Sequence, residues 1–231
     1  MLPPSGVAPV AFLLDVDNTL LDHDAAQEEY HVRIARECGE DAARRYWEIF
    51  EALRGELGYS DYLGALQRYR LENRHSHRLF LVSSFLLDYP FANRVYPGAR
   101  ELVEELGRAG TTVLLTDGDV VFQPRKIERA GLARAVDDRV LVTLHKEDEL
   151  DEVERLYPAR HYVMVDDKVR ILAAIKRFWG RKVTTVFVRQ GHYALDQETV
   201  AKYPPADITL ERIADLRSWD IEALVKAGNR G

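Results

Sequence analysis

One event recurs along the chain: a short, wholly apolar run that stops abruptly at polar or charged residues. Val10-Ala11-Phe12-Leu13-Leu14 ends at Asp15, and Thr112-Val113-Leu114-Leu115 ends at Thr116-Asp117-Gly118. Val140 to Leu144 ends at His145-Lys146, and Tyr162-Val163-Met164-Val165 ends at Asp166-Asp167. Val183 to Val188 is a fifth run. Continuous rather than alternating apolarity marks strands covered on both faces, as in parallel sheets. Between the runs lie helical patterns. Pro97-Gly98 opens one, with Leu102, Val103, Leu106 and Ala109 on one face and Gly110 at its end. Others span Gln123 to Ala130, Asp148 to Leu156 and Asp167 to Trp179. This alternation predicts an α/β fold with a mostly parallel sheet. Right-handed crossovers then bring the strand C-termini to one edge, where ligands of open α/β sheets bind.

The alternation fails between Asp22 and Asn93. Tyr46, Ile49, Phe50, Leu53 and Leu57 fall at helical spacing, followed by Leu63, Leu66 and Tyr69 and an apolar stretch from Leu79 to Leu87. The spacing predicts an all-helical insert over residues 22–93, within a core domain made of residues 1–21 and 94–231. With 46% hydrophobic residues in 231, there is ample material for both.

The formal net charge of −6 argues against a nucleic-acid binder, which needs a basic face. The longest apolar run, Val7 to Leu14, is too short to span a bilayer. Residues 1–10 carry no basic leader, and the single cysteine, Cys38, cannot form an internal disulfide. The expectation is a cytoplasmic protein, monomeric or homodimeric, with no nucleic-acid or membrane partner.

The chemistry is concentrated at the predicted strand ends. In Asp15-Val16-Asp17-Asn18-Thr19, two carboxylates two residues apart can do different jobs, one as a nucleophile and one as a general acid and then base. Asp166 and Asp167 bring more negative charge to the same edge. Such a cluster calls for a cation, and Mg²⁺ suits oxygen ligands shared with a phosphate. Thr116, Asp117 and Gly118 offer a hydroxyl and backbone N–H groups for phosphoryl oxygens. Lys146 is the one fixed cation expected at this edge. Lys126, placed on a helix, is a rival for its role.

The order Asp-x-Asp-x-Thr, hydroxyl, lysine, acidic pair, each after a strand, resembles the four motifs of the haloacid dehalogenase (HAD) superfamily. The resemblance covers Val10 to Gly191, with the insert lying where such enzymes carry a C1-type cap. It implies a Rossmann-like core and a Mg²⁺-dependent phosphatase acting on a small phosphorylated molecule. Asp15 would attack phosphorus to form an aspartyl-phosphate, and Asp17 would protonate the leaving oxygen and then activate water. Asp15, the Asp17 backbone carbonyl and Asp167 would hold the metal, with Asp166 adjacent. Thr116, the Asp117 N–H and Lys146 would bind the phosphoryl group. Two departures stand out: Asp117 occupies a position where such enzymes usually have Asn, and Glu147 follows Lys146 where proline is common. Asp17 favours phosphate chemistry over dehalogenation, since haloacid dehalogenases proper lack this second aspartate. A phosphomutase or an aspartate phospho-receiver are the other readings. Six basic residues of the insert, Arg68, Arg70, Arg74, His75, His77 and Arg78, could meet an anionic substrate or form a solvated face, and His192 could point toward the site.

Overall fold

A computed structural model describes residues 6–74 and 77–229. Six strands form a single sheet: β1 (Ala8–Leu14), β2 (Thr111–Asp117), β3 (Val140–Thr143), β4 (Ala159–Asp166), β5 (Val183–Val188) and β6 (Ile208–Leu210). Their order is β3-β2-β1-β4-β5-β6, and every pairing is parallel. The five expected strands are present. β6, only three residues long at the sheet edge, went unanticipated because it is too short to show a pattern.

Side chains alternate across a strand, and β1 shows why its run is unbroken. Phe12 and Leu14 join one buried cluster, with Leu102, Val103 and Leu106. Ala11 and Leu13 join a second, with Leu172, Ile175 and Trp179. The helices that cover these faces include α5 (Ala99–Ala109), α8 (Leu150–Leu156), α9 (Val169–Trp179) and α12 (Ile221–Gly228). Short helices α6 (Phe122–Arg129), α7 (Leu132–Ala135), α10 (Gly191–Leu195) and α11 (Gln197–Val200) fill the connections.

The regular elements of the insert are all helical: α1 (His23–Cys38), α2 (Glu40–Leu57), α3 (Tyr62–Glu72) and α4 (Leu79–Asp88), then a 3-10 turn at Phe91–Arg94. Its two ends leave the core side by side. Asp22 N–H donates to the Arg94 carbonyl at 2.7 Å, and Leu21 bridges Val95. Its tyrosines Tyr30, Tyr46 and Tyr62 are buried in the same cluster as Phe12 and Leu14. Tyr62 reaches Phe122 on α6, with ring centroids 5.0 Å apart. Most of the basic residues suspected of meeting substrate face outward: Arg68 pairs with Glu56 at 2.8 Å and Arg78 with Glu37 at 3.6 Å. His75 lies outside the described residues. No described helix is long and apolar enough to cross a membrane.

Candidate active site

The strand order runs outward in opposite directions from β1 and β4. The crevice between the C-termini of these neighbours is where such sheets bind ligands. Asp15 leaves β1 there, with its N–H donating to the Val165 carbonyl at 3.0 Å. Asp166 ends β4 and Asp167 follows it. Carboxylate oxygens of Asp15, Asp166 and Asp167 lie within 4.8 Å of one another, and all three residues are buried.

The three acids are not equivalent. Asp166 accepts from the Lys146 ammonium at 3.0 Å and from the Lys168 N–H at 2.8 Å. Asp15 also accepts from Lys146. Both oxygens of Asp167 are buried and accept from no described residue. It does not cap α9 either, because the residue preceding that helix is Lys168. Burial lifts Asp15 to about 6 even with the Lys146 ammonium beside it. Burial, then Asp166 and Asp15, push Asp167 well above the usual carboxylate range against the pull of Lys168. A hard cation bound by oxygen donors would relieve this crowding, and the orphaned oxygens of Asp167 are suited to one.

Lys146 follows β3 and is 1% exposed. Burial opposes its charge, but Asp15, Asp166 and Asp117 outweigh that and keep it protonated. The extra charge of Asp117 also finds its explanation. Its carboxylate accepts from the Lys146 N–H at 2.8 Å and from the Thr143 hydroxyl at 2.8 Å, so it braces the lysine loop.

Two expectations at this edge change. The Gly118 N–H is already donated to the Thr143 carbonyl at 3.0 Å, so it is not free for a phosphoryl oxygen. Its lack of a side chain instead makes room for Gln123, whose Cβ would lie 3.1 Å from an added Cβ. Nor is Lys146 the only buried cation. Lys126, also 1% exposed, reaches from α6 to both oxygens of Asp17, at 2.8 and 2.7 Å. The two lysines are not rivals for one role, since they hold different carboxylates. Gln123 bridges Asp17 at 3.1 Å and the Thr116 hydroxyl at 2.8 Å. That leaves the Thr116 O–H free to donate.

Burial alone would raise Asp17, but its cationic and hydrogen-bonding neighbours hold it well below the usual range. His23 at the start of α1 lies 3.6 Å away. Burial pushes its imidazole down to about 4. It is therefore neutral near pH 7, and Lys126 is the cation that Asp17 faces.

The loop after β1 is locked by Asn18, which adopts a positive φ of 59°. Its side-chain oxygen accepts from the His23 and Asp24 N–H groups, at 3.0 and 3.1 Å. His192 does approach the site, but it pairs with Asp24 at 2.7 Å rather than with any catalytic candidate. A cavity of about 120 Å³ lies over the carboxylates, lined by Asp17, Asp167 and Lys168 below and Arg54, Tyr59 and Tyr62 of the insert above. A larger open groove of about 1020 Å³ beside α5 and α7 carries none of these groups.

The sequence model of the haloacid dehalogenase-like hydrolases matches residues 10–178. A solved structure from Burkholderia xenovorans LB400, described as a haloacid dehalogenase-like hydrolase, shares 60% identity. It covers 92% of this chain and 99% of its own, with a TM-score of 0.88. At 16% identity and a TM-score of 0.61, the HAD-hydrolase YfnB of Bacillus subtilis, solved bound to magnesium, covers 90% of this chain and 96% of its own. L-2-haloacid dehalogenase of Xanthobacter autotrophicus aligns over the same shares at 18% identity, with a TM-score of 0.60. No curated protein matches the sequence. The two distant structures share the fold. The family match over most of the chain and the 60% identical relative go further, and this protein belongs to the haloacid dehalogenase-like hydrolases.

Proposed function

We propose that this hydrolase is a Mg²⁺-dependent phosphatase of small phosphomonoesters, working through a phosphoaspartyl intermediate on Asp15. One observation carries the reading: the buried cluster of Asp15, Asp166 and Asp167, in which both Asp167 oxygens accept from no described residue. The donor set fits Mg²⁺, held by Asp15, Asp167 and the Asp17 carbonyl with Asp166 adjacent, and a bound ion would neutralise the acids and polarise the phosphoryl group.

The chain's own residues supply the rest. An Asp15 oxygen attacks phosphorus, forming a P–O bond as the bond to the leaving oxygen breaks, and that oxygen takes a proton from Asp17, which the water of the second step restores. Lys146, fixed between Asp15 and Asp166, offsets the charge gathering on the phosphoryl oxygens. The Thr116 hydroxyl donates to one of those oxygens. Water then attacks phosphorus, the bond to Asp15 breaks, and Asp17 takes the water's proton. The helical insert acts as a cap, closing the site with Arg54, Tyr59 and Tyr62.

The test is hydrolysis of p-nitrophenyl phosphate with Mg²⁺ or with EDTA, by the native protein and by Asp15→Asn. Metal-dependent turnover that disappears in the variant is expected. Undiminished turnover by Asp15→Asn would remove the nucleophile assignment. Chloride release from 2-chloropropionate without phosphatase activity would favour a dehalogenase.

A further inference from the structure

Lys126 is the buried group that the phosphatase steps leave unused. Placing an ammonium where it is 1% exposed carries a large desolvation penalty, and a buried ion pair is weak grounds for stability. Its surroundings are nonetheless fully matched to it. Its three protons have three acceptors: the two Asp17 oxygens at 2.8 and 2.7 Å, and His23 Nδ1 at 3.4 Å. With Nδ1 accepting, neutral His23 carries its proton on Nε2 and donates it to the Tyr62 hydroxyl at 2.8 Å. Tyr62 in turn donates to Gln27 at 3.2 Å. The chain runs from α6 of the core to His23 on α1 and Tyr62 on α3, and returns to α1 at Gln27. Gln123 adds a third donor to Asp17.

A carboxylate gripped at both oxygens by one ammonium has a single orientation. We propose that Lys126 is a positioning residue: it fixes the Asp17 carboxylate to receive a proton from the hydrolytic water, and it ties that orientation to the closed insert through His23 and Tyr62. The role rests on the phosphatase reading, because it acts on the second half-reaction. In that step the water oxygen bonds to phosphorus, the P–O bond to Asp15 breaks, and the water proton passes to Asp17. The first half-reaction with p-nitrophenyl phosphate expels a stable phenolate and makes little demand on Asp17.

The experiment is a double-mutant cycle at Asp17 and Lys126, with p-nitrophenyl phosphate and saturating Mg²⁺, followed in the steady state and by rapid mixing. Lys126→Met should lower kcat at least tenfold, up to the roughly 10²–10⁴-fold worth of a general base, while KM changes less than about threefold. Its first turnover should still release a burst of nitrophenolate near one equivalent per site. In the Asp17→Asn background, adding Lys126→Met should cost less than about twofold, because there is no carboxylate left to position. A purely structural lysine would cost the same factor in both backgrounds, and that result overturns the proposal. So does a Lys126→Met enzyme with native kcat. Lys126→Gln keeps one donor and covers the case in which the methionine variant does not fold. It should recover part of kcat in the native background and none in Asp17→Asn, and equal effects in both would again overturn the role. Native protein without phosphate-ester turnover, with or without metal, sinks the phosphatase reading and this role together. Native turnover with an indifferent Lys126 sinks this role alone.

Discussion

Replacing Asp167 by asparagine should make the metal-free protein more stable while removing its response to metal. Both Asp167 oxygens are buried and accept no hydrogen bond from a described residue, and Asp166 and Asp15 crowd the carboxylate. An amide keeps the shape and drops the charge. Removing the buried charge, and giving the neighbouring carboxylates an amide donor, is worth about 1–3 kcal/mol, and the partly exposed Lys168 stays near Asp15. The native protein should gain about 2.7 kcal/mol from Mg²⁺ at a hundred times its dissociation constant. At about 2–4 °C per kcal/mol for a chain of this size, that is a rise of roughly 5–11 °C in Tm. The variant should gain almost nothing. Thermal melts in EDTA and in Mg²⁺ measure both. The pH dependence has a definite sign. Because the folded Asp167 carboxyl is raised, it contributes stability at low pH that is lost as pH rises through its folded value. The variant's advantage in EDTA should therefore be near nil below about pH 4 and grow toward neutrality. Comparing variant with native cancels the opposite trend of His23, whose lowered value costs stability as pH falls toward 4. A variant less stable than native in EDTA at pH 7, or equally stabilised by Mg²⁺, would refute the reasoning.

Other perturbations test the scaffold around the site. Gly191→Ala forces a side chain into a positive φ of 73° and against the Asn18 side chain. It should cost about 2 kcal/mol or more, read as a lower urea midpoint, and an unchanged midpoint would deny that packing. Tyr62→Phe strands His23 Nε2 in a buried position and should cost about 1–3 kcal/mol in the same assay; a loss under about 0.5 kcal/mol would mean the bond does not matter. Asp24 is drawn down to about 2, against burial, by hydrogen bonds from His192 and Asn18. A depressed carboxyl stabilises above its ordinary value and loses that contribution as pH falls toward 2. Native protein should therefore exceed Asp24→Asn by about 1 kcal/mol at pH 6, discounted for the exposure of the pair, and converge with it near pH 2.

The carboxylate cluster was legible in the sequence because each strand buried on both faces is a continuous apolar run, and the residue that ends the run must sit at the sheet edge. Asp15, Thr116, Asp166 and Asp167 are found there for that reason, whereas Lys146 lies beyond the end of β3, a strand only half-buried along its length. Direction was not legible. Whether the Asp117 carboxylate faces the cavity or turns back to Thr143 and Lys146 depends on a contact 29 residues away. Gln123 and Lys126 did leave a trace. They share the inward face of α6 with Phe122 and Ile127, so two polar side chains lie where the helix should be apolar. That pattern marks a buried polar network, although its partner Asp17 is more than a hundred residues away. His23 and Tyr62 gave no such sign, since only the packing of insert on core brings them together.

That packing bears on how such enzymes could be recombined. The insert's tyrosines and the core's Phe12, Leu14, Phe122 and Ile127 form one apolar body rather than two. Residues 22–93 are therefore poorly portable. Excising them would leave Phe122 and Ile127 uncovered, and grafting them onto a related core would require α6 to travel with them. A chimaera whose junctions lie only at Asp22 and Arg94, where the chain crosses on adjacent backbone, would cut at the convenient place and separate what folds together.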